Sequence, residues 1–249
     1  MILELDIGNT RIKWRHKSLQ GDDVETEGVF AGVEEFTSSY SHQTNPEVIR
    51  LCSVREETET NVLVNWSRQR FGLEPMIAEV SRECGGVSIN YPDVSRLGVD
   101  RWLAMLAAYR RANRACLIAD IGTAFTLDGI DSDGEHLGGF ILPGIKLMRY
   151  GLETNTAIRL SEDGQGGSME FGNSTDEAVL NGSIASLVAL VEKYSRRLQQ
   201  TAGQAKLFLS GGDAAVMAKF IDYEDSEIIP GLVLDGLAIA CPSQKESPA

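Results

Sequence analysis

Leu3-Glu4-Leu5-Asp6-Ile7-Gly8-Asn9-Thr10 and Leu117-Ile118-Ala119-Asp120-Ile121-Gly122-Thr123-Ala124 share one pattern, 114 residues apart. In each, an apolar run ends in Asp and a Gly follows two residues later. One Asp-x-Gly is ordinary turn chemistry. Two of them, each opening three strands, mark an internal duplication. Outward from the first, strands are expected near 2–6, 11–15 and 24–30, with helical signal at 32–40. An apolar strand, Val48 to Val54, follows, then a helix over about 56–71 closed by Gly72. Pro75 to Val80 reads as a strand, and a helix is expected from about Asp100 to Ala112, with Leu103, Leu106 and Ala107 on one face.

Outward from the second, strands are expected near 115–120, 124–130 and 135–141, with a helical region after Pro143-Gly144. A Gly-rich link, Gly164-Gln165-Gly166-Gly167-Ser168, leads to a helix over about 175–199. Then come a strand at Lys206–Ser210, a helix after Gly212, a weak strand near 227–229 and a helix at about 232–240. Pro242 to Ala249 reads as a disordered tail. Each half thus reads βββ-α-β-α-β-α, which makes the chain α/β with two units, 1–113 and 114–249.

At 249 residues the chain has room for one to two compact units of about 150 residues. It is 43% hydrophobic and 24% charged, which excludes collagen-like and low-complexity classes. A net charge of −13 repels phosphodiester backbones, and there is no basic stripe to offset it, so nucleic acid is not an expected partner. The densest basic stretch, Tyr109 to Arg114, reads as the solvated end of a helix. No apolar run reaches the roughly 18 residues of a membrane helix, and Met1–Asp6 reads as a strand rather than a signal peptide. Neither the four cysteines nor the three histidines (His16, His42, His136) have metal-ligand spacing. Cys52 and Cys116 lie in apolar runs typical of buried thiols, and the expected compartment is the reducing cytoplasm.

The chemistry of the two hairpins follows from their residue types. Gly8 and Gly122 let backbone N–H groups approach a ligand, and successive N–H groups in a tight turn form an anion-binding nest. Asn9, Thr10, Thr123 and Thr126 add short polar side chains, and a neighbouring carboxylate can hold Mg²⁺ through water. Lys13, on the next strand, can reach a polyphosphate as a point charge. A third glycine site, Ser210-Gly211-Gly212-Asp213-Ala214, joins a strand to a helix and would let an adenine or ribose lie against backbone.

Two such hairpins with a late Gly-Gly turn resemble the actin/hexokinase/Hsp70 ATPase superfamily. Gly98-Val99-Asp100-Arg101, Asp120 to Asp128 and Gly138-Gly139-Phe140-Ile141-Leu142-Pro143-Gly144 narrow the resemblance to the type III pantothenate kinases. It covers Met1 to about Pro242, although residues 16–46 and 153–172 carry little of the pattern. The resemblance implies duplicated actin-like (ribonuclease H-like) lobes. Each would be a mixed sheet with a three-strand antiparallel meander plus helices, and an ATP cleft would lie between the lobes. It also implies phosphorylation of the terminal hydroxyl of pantothenate by ATP, the first step toward coenzyme A, in a cytoplasmic homodimer with a shared substrate pocket.

Carried over by residue, Asp6, Ile7, Gly8, Asn9, Thr10, Arg11, Ile12 and Lys13 would form the first phosphate segment, with Asp6 beside the metal. Asp100 would be the catalytic base. Gly98, Val99, Asp100, Arg101, Tyr91 and Thr175 would contact pantothenate. Asp120 would hold a monovalent cation, K⁺ or NH₄⁺, and Thr123, Gly211 and Gly212 would contact ATP. Plainer roles fit the same residues: Asp100 and Thr175 as helix caps, Arg101 in a surface ion pair, Tyr91 in a core. Trp14, Trp66 and Trp102 read as core. The alternatives are a non-catalytic nucleotide-binding regulator, or a superfamily kinase for another small hydroxyl substrate. The intact set Asp6, Asp100, Arg101 and Asp120 favours an enzyme.

Overall fold

Alternation along the first strand sets the layers of the first unit. In the computed structural model, which describes residues 1–21, 23–41, 44–161 and 166–245, β1 (Ile2–Ile7) is buried throughout, although two of its six residues are carboxylates. β1 pairs antiparallel with β2 (Ile12–Lys17) and parallel with β4 (Val48–Ser53). β3 (Val24–Phe30) and the two-residue β5 (Met76–Ile77) complete a sheet of order β3-β2-β1-β4-β5. Leu3, Leu5 and Ile7 point to one face, where Ile49 and Leu51 join them under α1 (Val33–Ser39) and α2 (Glu57–Phe71). Trp14 and Trp66 pack into this core, Trp66 edge-on to Phe36 and Tyr40. Gly72 caps α2 at φ 68°, as its position in the sequence implies.

The other face carries Glu4 and Asp6, and the sheet register gives each a row of neighbours. Arg50 and Arg15 flank Glu4 from β4 and β2, while Cys52 and Lys13 flank Asp6. Glu4 is fully buried and accepts Arg15 Nε at 2.6 Å and Arg50 Nη1 at 3.1 Å. Both arginines reach on to the last helix, α7 (Leu232–Ala240). Arg15 bonds Asp235 at 2.6 Å, and Arg50 donates to the Cys241 carbonyl at 2.8 Å. The same network therefore satisfies the buried carboxylate and fastens α7 onto β1 and β4.

α3 (Val99–Ala112) is buried without a break from Arg101 to Ala108, not only along the Leu103 stripe. Trp102 is part of this buried run. The α3 backbone at Leu103 lies so close to Gly236 of α7 that a Cβ there would not fit.

Contacts divide the chain into Met1–Arg110 with Gly231–Ala249, and Arg111–Pro230. The linear division at 113/114 is corrected at its far end: residues from Gly231 on pack with the first unit. α7 shows no sequence preference for either sheet, and its partners are set by the Glu4 network. A small hairpin, β6 (Glu83–Cys84) with β7 (Val87–Ser88), also belongs to the first unit. The strand expected over Pro75–Val80 shrinks to β5, because only Met76 and Ile77 pair with β4.

The second unit repeats the plan. β8 (Cys116–Ile121), β9 (Ala124–Ile130), β10 (His136–Pro143), β11 (Lys206–Ser210) and β12 (Ser226–Ile228) form a sheet of order β10-β9-β8-β11-β12. β8 is antiparallel to β9 and parallel to β11, as β1 is to β2 and β4. Leu117, Ala119 and Ile121 pack under α4 (Ile145–Asn155) and the long α5 (Thr175–Ala202), through Ile145, Ile184 and Leu187. α6 (Ala214–Met217) follows β11. Gly164 and Gln165 of the Gly-rich link, residues 246–249 of the tail and His42 lie outside the described residues. No helix among the described residues is long and apolar enough to cross a membrane.

Candidate active site

Asp6 ends β1 on the face opposite the α1/α2 core, and its neighbours come from the adjacent strands. Lys13 is its cross-strand partner on β2. On β4, Cys52 donates from Sγ to Asp6 Oδ1 at 3.6 Å. Cys52 is fully buried, and burial pushes its thiol well above the ordinary range, with the charges of Asp6 and Asp100 pushing in the same direction. Its pKa thus responds to both carboxylates. Asp6 is supplied by the sheet and Asp100 by the first turn of α3.

The hairpin after Asp6 closes with Gly8 N donating to Arg11 O at 3.0 Å. It spans Gly8–Arg11 between the paired Ile7 and Ile12. The hairpin after Asp120 spans Gly122–Ala124, one residue shorter, with Gly122 N donating to Ala124 O at 3.1 Å. The duplication therefore slips by one residue at the turn, and the position of Lys13 beside Asp6 is taken by Thr126 beside Asp120. The two hairpins are built alike but carry different charge.

Asp100 does not cap α3. Trp102 N closes the first turn onto Gly98 O at 3.1 Å, and Asp100 lies inside that turn, with Oδ1 accepting from Arg101 N at 2.8 Å. A Cβ at Gly98 would meet Asp100 Oδ1 at 2.6 Å, so a side chain there would displace the carboxylate. Arg101 is not on the surface either. It is buried, and its Nη1 donates to Tyr91 Oη at 3.3 Å. Tyr91 is partly exposed on a loop held from behind by Arg82, which donates to the carbonyls of Ile89 at 3.1 Å and Tyr91 at 3.2 Å. Val99, Asp100, Arg101 and Tyr91 thus share one end of α3 in the first unit.

In the second unit, Asp120 ends β8 with Thr126 and Ser210 as its neighbours in register. Gly211 follows Ser210 at φ 91°, and a Cβ on it would come within 2.5 Å of both Asp120 Oδ1 and the Ile121 backbone. Only glycine allows β11 to turn this tightly over the carboxylate. Gly212 then leads to Asp213, whose N donates to Ile121 O at 3.0 Å. Thr123 O accepts from Gly144 N at 2.9 Å, which fastens the second hairpin to the Pro143-Gly144 turn. Ser210 Oγ is buried and makes no hydrogen bond among the described residues. A carboxylate beside an orphaned hydroxyl is a donor set of hard oxygens, which fits a monovalent cation.

Thr175 is exposed at the first turn of α5, but the cap is Ser174, whose Oγ accepts from Glu177 N at 3.2 Å. The next residue, Asp176, accepts from Ser161 N at 2.7 Å, and this bond holds its carboxyl below the usual range. Arg82 and Arg55, which binds the Gly8 carbonyl, escaped the sequence reading, which took Cys52 only as a buried thiol and Ser210 only as part of the glycine turn. Cys52 was within reach of it: pairing Glu4 with Arg50 across β1 and β4 puts Cys52 beside Asp6. Among the described residues, no group of three or more His, Cys, Asp or Glu forms a metal-binding cluster.

Comparison with known proteins bears on the family and the fold. Residues 2–197 match the family described as type III pantothenate kinase. A type III pantothenate kinase of Ectopseudomonas mendocina is 41% identical over 97% of this chain and 99% of its own length. Among solved structures, a conserved Baf family protein from Campylobacter jejuni superposes with a TM-score of 0.63 at 22% identity, covering 94% of each chain. MreB5 of Spiroplasma citri bound to ADP gives a TM-score of 0.50 at 12% identity, over 98% of this chain and 97% of its own. These two likenesses concern the fold alone, an actin-like α/β plan.

Proposed function

The chain belongs to the type III pantothenate kinase family, and from that premise we propose that it transfers the γ-phosphoryl group of ATP to the terminal hydroxyl of pantothenate, with Asp100 as the base. The product, 4′-phosphopantothenate, is the first intermediate toward coenzyme A. The observation that carries the reading is the grouping at the start of α3: Asp100 Oδ1 accepts from Arg101 N, and the buried Arg101 guanidinium donates to Tyr91 Oη, in the same unit as Asp6 and the Gly8–Arg11 hairpin.

Asp100 positions the attacking hydroxyl and accepts its proton as the O–P bond forms; the leaving ADP carries away the electron pair of the broken bond. Phosphoryl transfer asks the protein mostly for positioning and charge. Arg101 supplies a planar fork for the pantothenate carboxylate, and Tyr91 Oη supplies a partner for its amide. Backbone N–H groups of Asn9–Arg11 and the Lys13 ammonium hold the phosphates. Thr123, Gly211 and Gly212 are the further ATP contacts in this proposal.

Mg²⁺ bound with ATP neutralises charge on the phosphoryl oxygens; Asp6 would hold it through water. Asp120 and Ser210 would hold K⁺ or NH₄⁺. A cytoplasmic site of action suits the four free cysteines.

The working form we propose is a homodimer in which the partner subunit's Thr175 completes the pantothenate pocket. Two observations favour it. Ser174 takes the capping role and leaves Thr175 for another, and Ile141, Leu147, Tyr150 and Phe171 expose apolar surface on and near edge strand β10 and α4. The test of the substrate assignment is ADP release with Mg·ATP across pantothenate, common hexoses and acetate. Release with pantothenate alone is expected. Release with a hexose and none with pantothenate would reassign the substrate.

A further inference from the structure

Resting on the reading of the first hairpin as a phosphate site, we infer that Arg55 is a positioning residue for ATP, acting through the Gly8 carbonyl. The main-chain ladder that joins β1 to β4 continues past the strand ends to Val54 N, which donates to Ile7 O at 3.1 Å. The next carbonyl along, that of Gly8, is in the hairpin itself. This partly buried carbonyl has a side chain as its donor: Arg55 Nε reaches Gly8 O at 2.7 Å.

Arg55 is held at both its guanidinium and its backbone. Its Nη1 bonds Glu59 Oε2 at 2.6 Å, and its own backbone N donates to Ser53 Oγ at 3.2 Å. Ser53 Oγ is in turn bonded by Thr60 Oγ1 at 2.8 Å. The Arg55 side chain is only 14% exposed, so its charge is little screened.

The Gly8 carbonyl belongs to the same peptide group as the Asn9 N–H, at the tip of the proposed nest. A cation bonded to the oxygen of a peptide polarises it and strengthens its N–H as a donor, because linked hydrogen bonds reinforce one another. The charged bond also fixes the plane of that peptide, and so the direction of the N–H. Arg55 thus serves the phosphates without touching them. Lysine would keep one donor and the charge but lose the fork that Glu59 grips.

The test compares binding of a non-hydrolysable ATP analogue with Mg²⁺, together with the KM for pantothenate, in wild type, Arg55→Gln, Arg55→Lys and Lys13→Ala. Arg55→Gln is expected to weaken analogue binding about tenfold, as loss of a charge-assisted bond implies. Its pantothenate KM should stay within about twofold, and Arg55→Lys should recover part of the loss.

Analogue binding within about twofold of wild type in Arg55→Gln overturns the inference, as does an equal loss in both parameters, which would mean general damage. Should Arg55→Gln fail to fold, Glu59→Gln loosens the guanidinium without touching the hairpin. A loss of about threefold is then expected, and no loss overturns the inference. Lys13→Ala reports on the underlying reading: unchanged affinity there moves the phosphates off this hairpin and takes both claims down.

Discussion

Cys52 shows how one residue reports on its surroundings. Its thiol is held well above the ordinary range, chiefly by burial, and Cys116 is pushed up to about 12 for the same reason. Both are neutral thiols in the folded chain at neutral pH. A raised folded pKa adds stability that is complete below the unfolded value, near 9, and is lost as pH rises toward the folded one. The melting temperature is therefore expected to fall between about pH 9 and 12, and Cys52→Ser with Cys116→Ser should flatten that fall. A thiol-reactive dye at pH 8 should label partly exposed Cys84 first, with Cys52 and Cys116 following only on unfolding. Glu4 is the second residue whose surroundings set its effect. Glu4→Gln leaves Arg15 and Arg50 buried without their shared anion, and a loss of about 3–5 kcal/mol in urea unfolding is expected.

At the scale of elements, the turn after β11 is the most constrained. Gly211→Ala must place a Cβ on Asp120 and the Ile121 backbone while holding φ 91°. A cost of about 1–3 kcal/mol in stability is expected from the backbone alone. The displaced Asp120 should also blunt any dependence on K⁺. Wild-type activity should fall when K⁺ and NH₄⁺ are replaced by Na⁺ or Tris at constant ionic strength, and unchanged rates would leave Asp120 a structural role.

Much of this level was readable in advance, because both meanders open on an apolar run that ends in Asp-x-Gly and α2 ends on Gly72. The hairpin β6–β7 was not readable, since two-residue strands have no period. The capping role open to Asp100 and Thr175 in the sequence falls to neither, and Ser174 caps α5, because a cap is decided by which N–H a side chain meets. Arg55 has no motif at all; it becomes visible only when β1 and β4 are in register.

For the whole molecule, the duplication was legible and the path of the chain was not. The repeat of Asp-x-Gly predicts two sheets of like order, and both have it. The return of α7 to the first sheet depends on Arg15 and Arg50 finding Asp235 and Cys241, a pairing across about two hundred residues that no local pattern announces.

Assembly is tested by mixing two inactive variants, Asp100→Asn and Thr175→Arg, and allowing subunits to exchange. With a shared pocket, each mixed dimer has one intact site, and roughly a quarter of wild-type activity should return. Subunit exchange without recovery would place both residues in the same chain's site.

The central claim is that Asp100 takes the proton in a site it shares with Asp6. The most direct measurement is the turnover of Asp100→Asn with ATP and pantothenate, taken beside its affinity for a non-hydrolysable ATP analogue. A loss of about 10²–10⁴ in kcat is expected, with analogue affinity within about twofold of wild type; turnover at the wild-type level would take the base role away from Asp100.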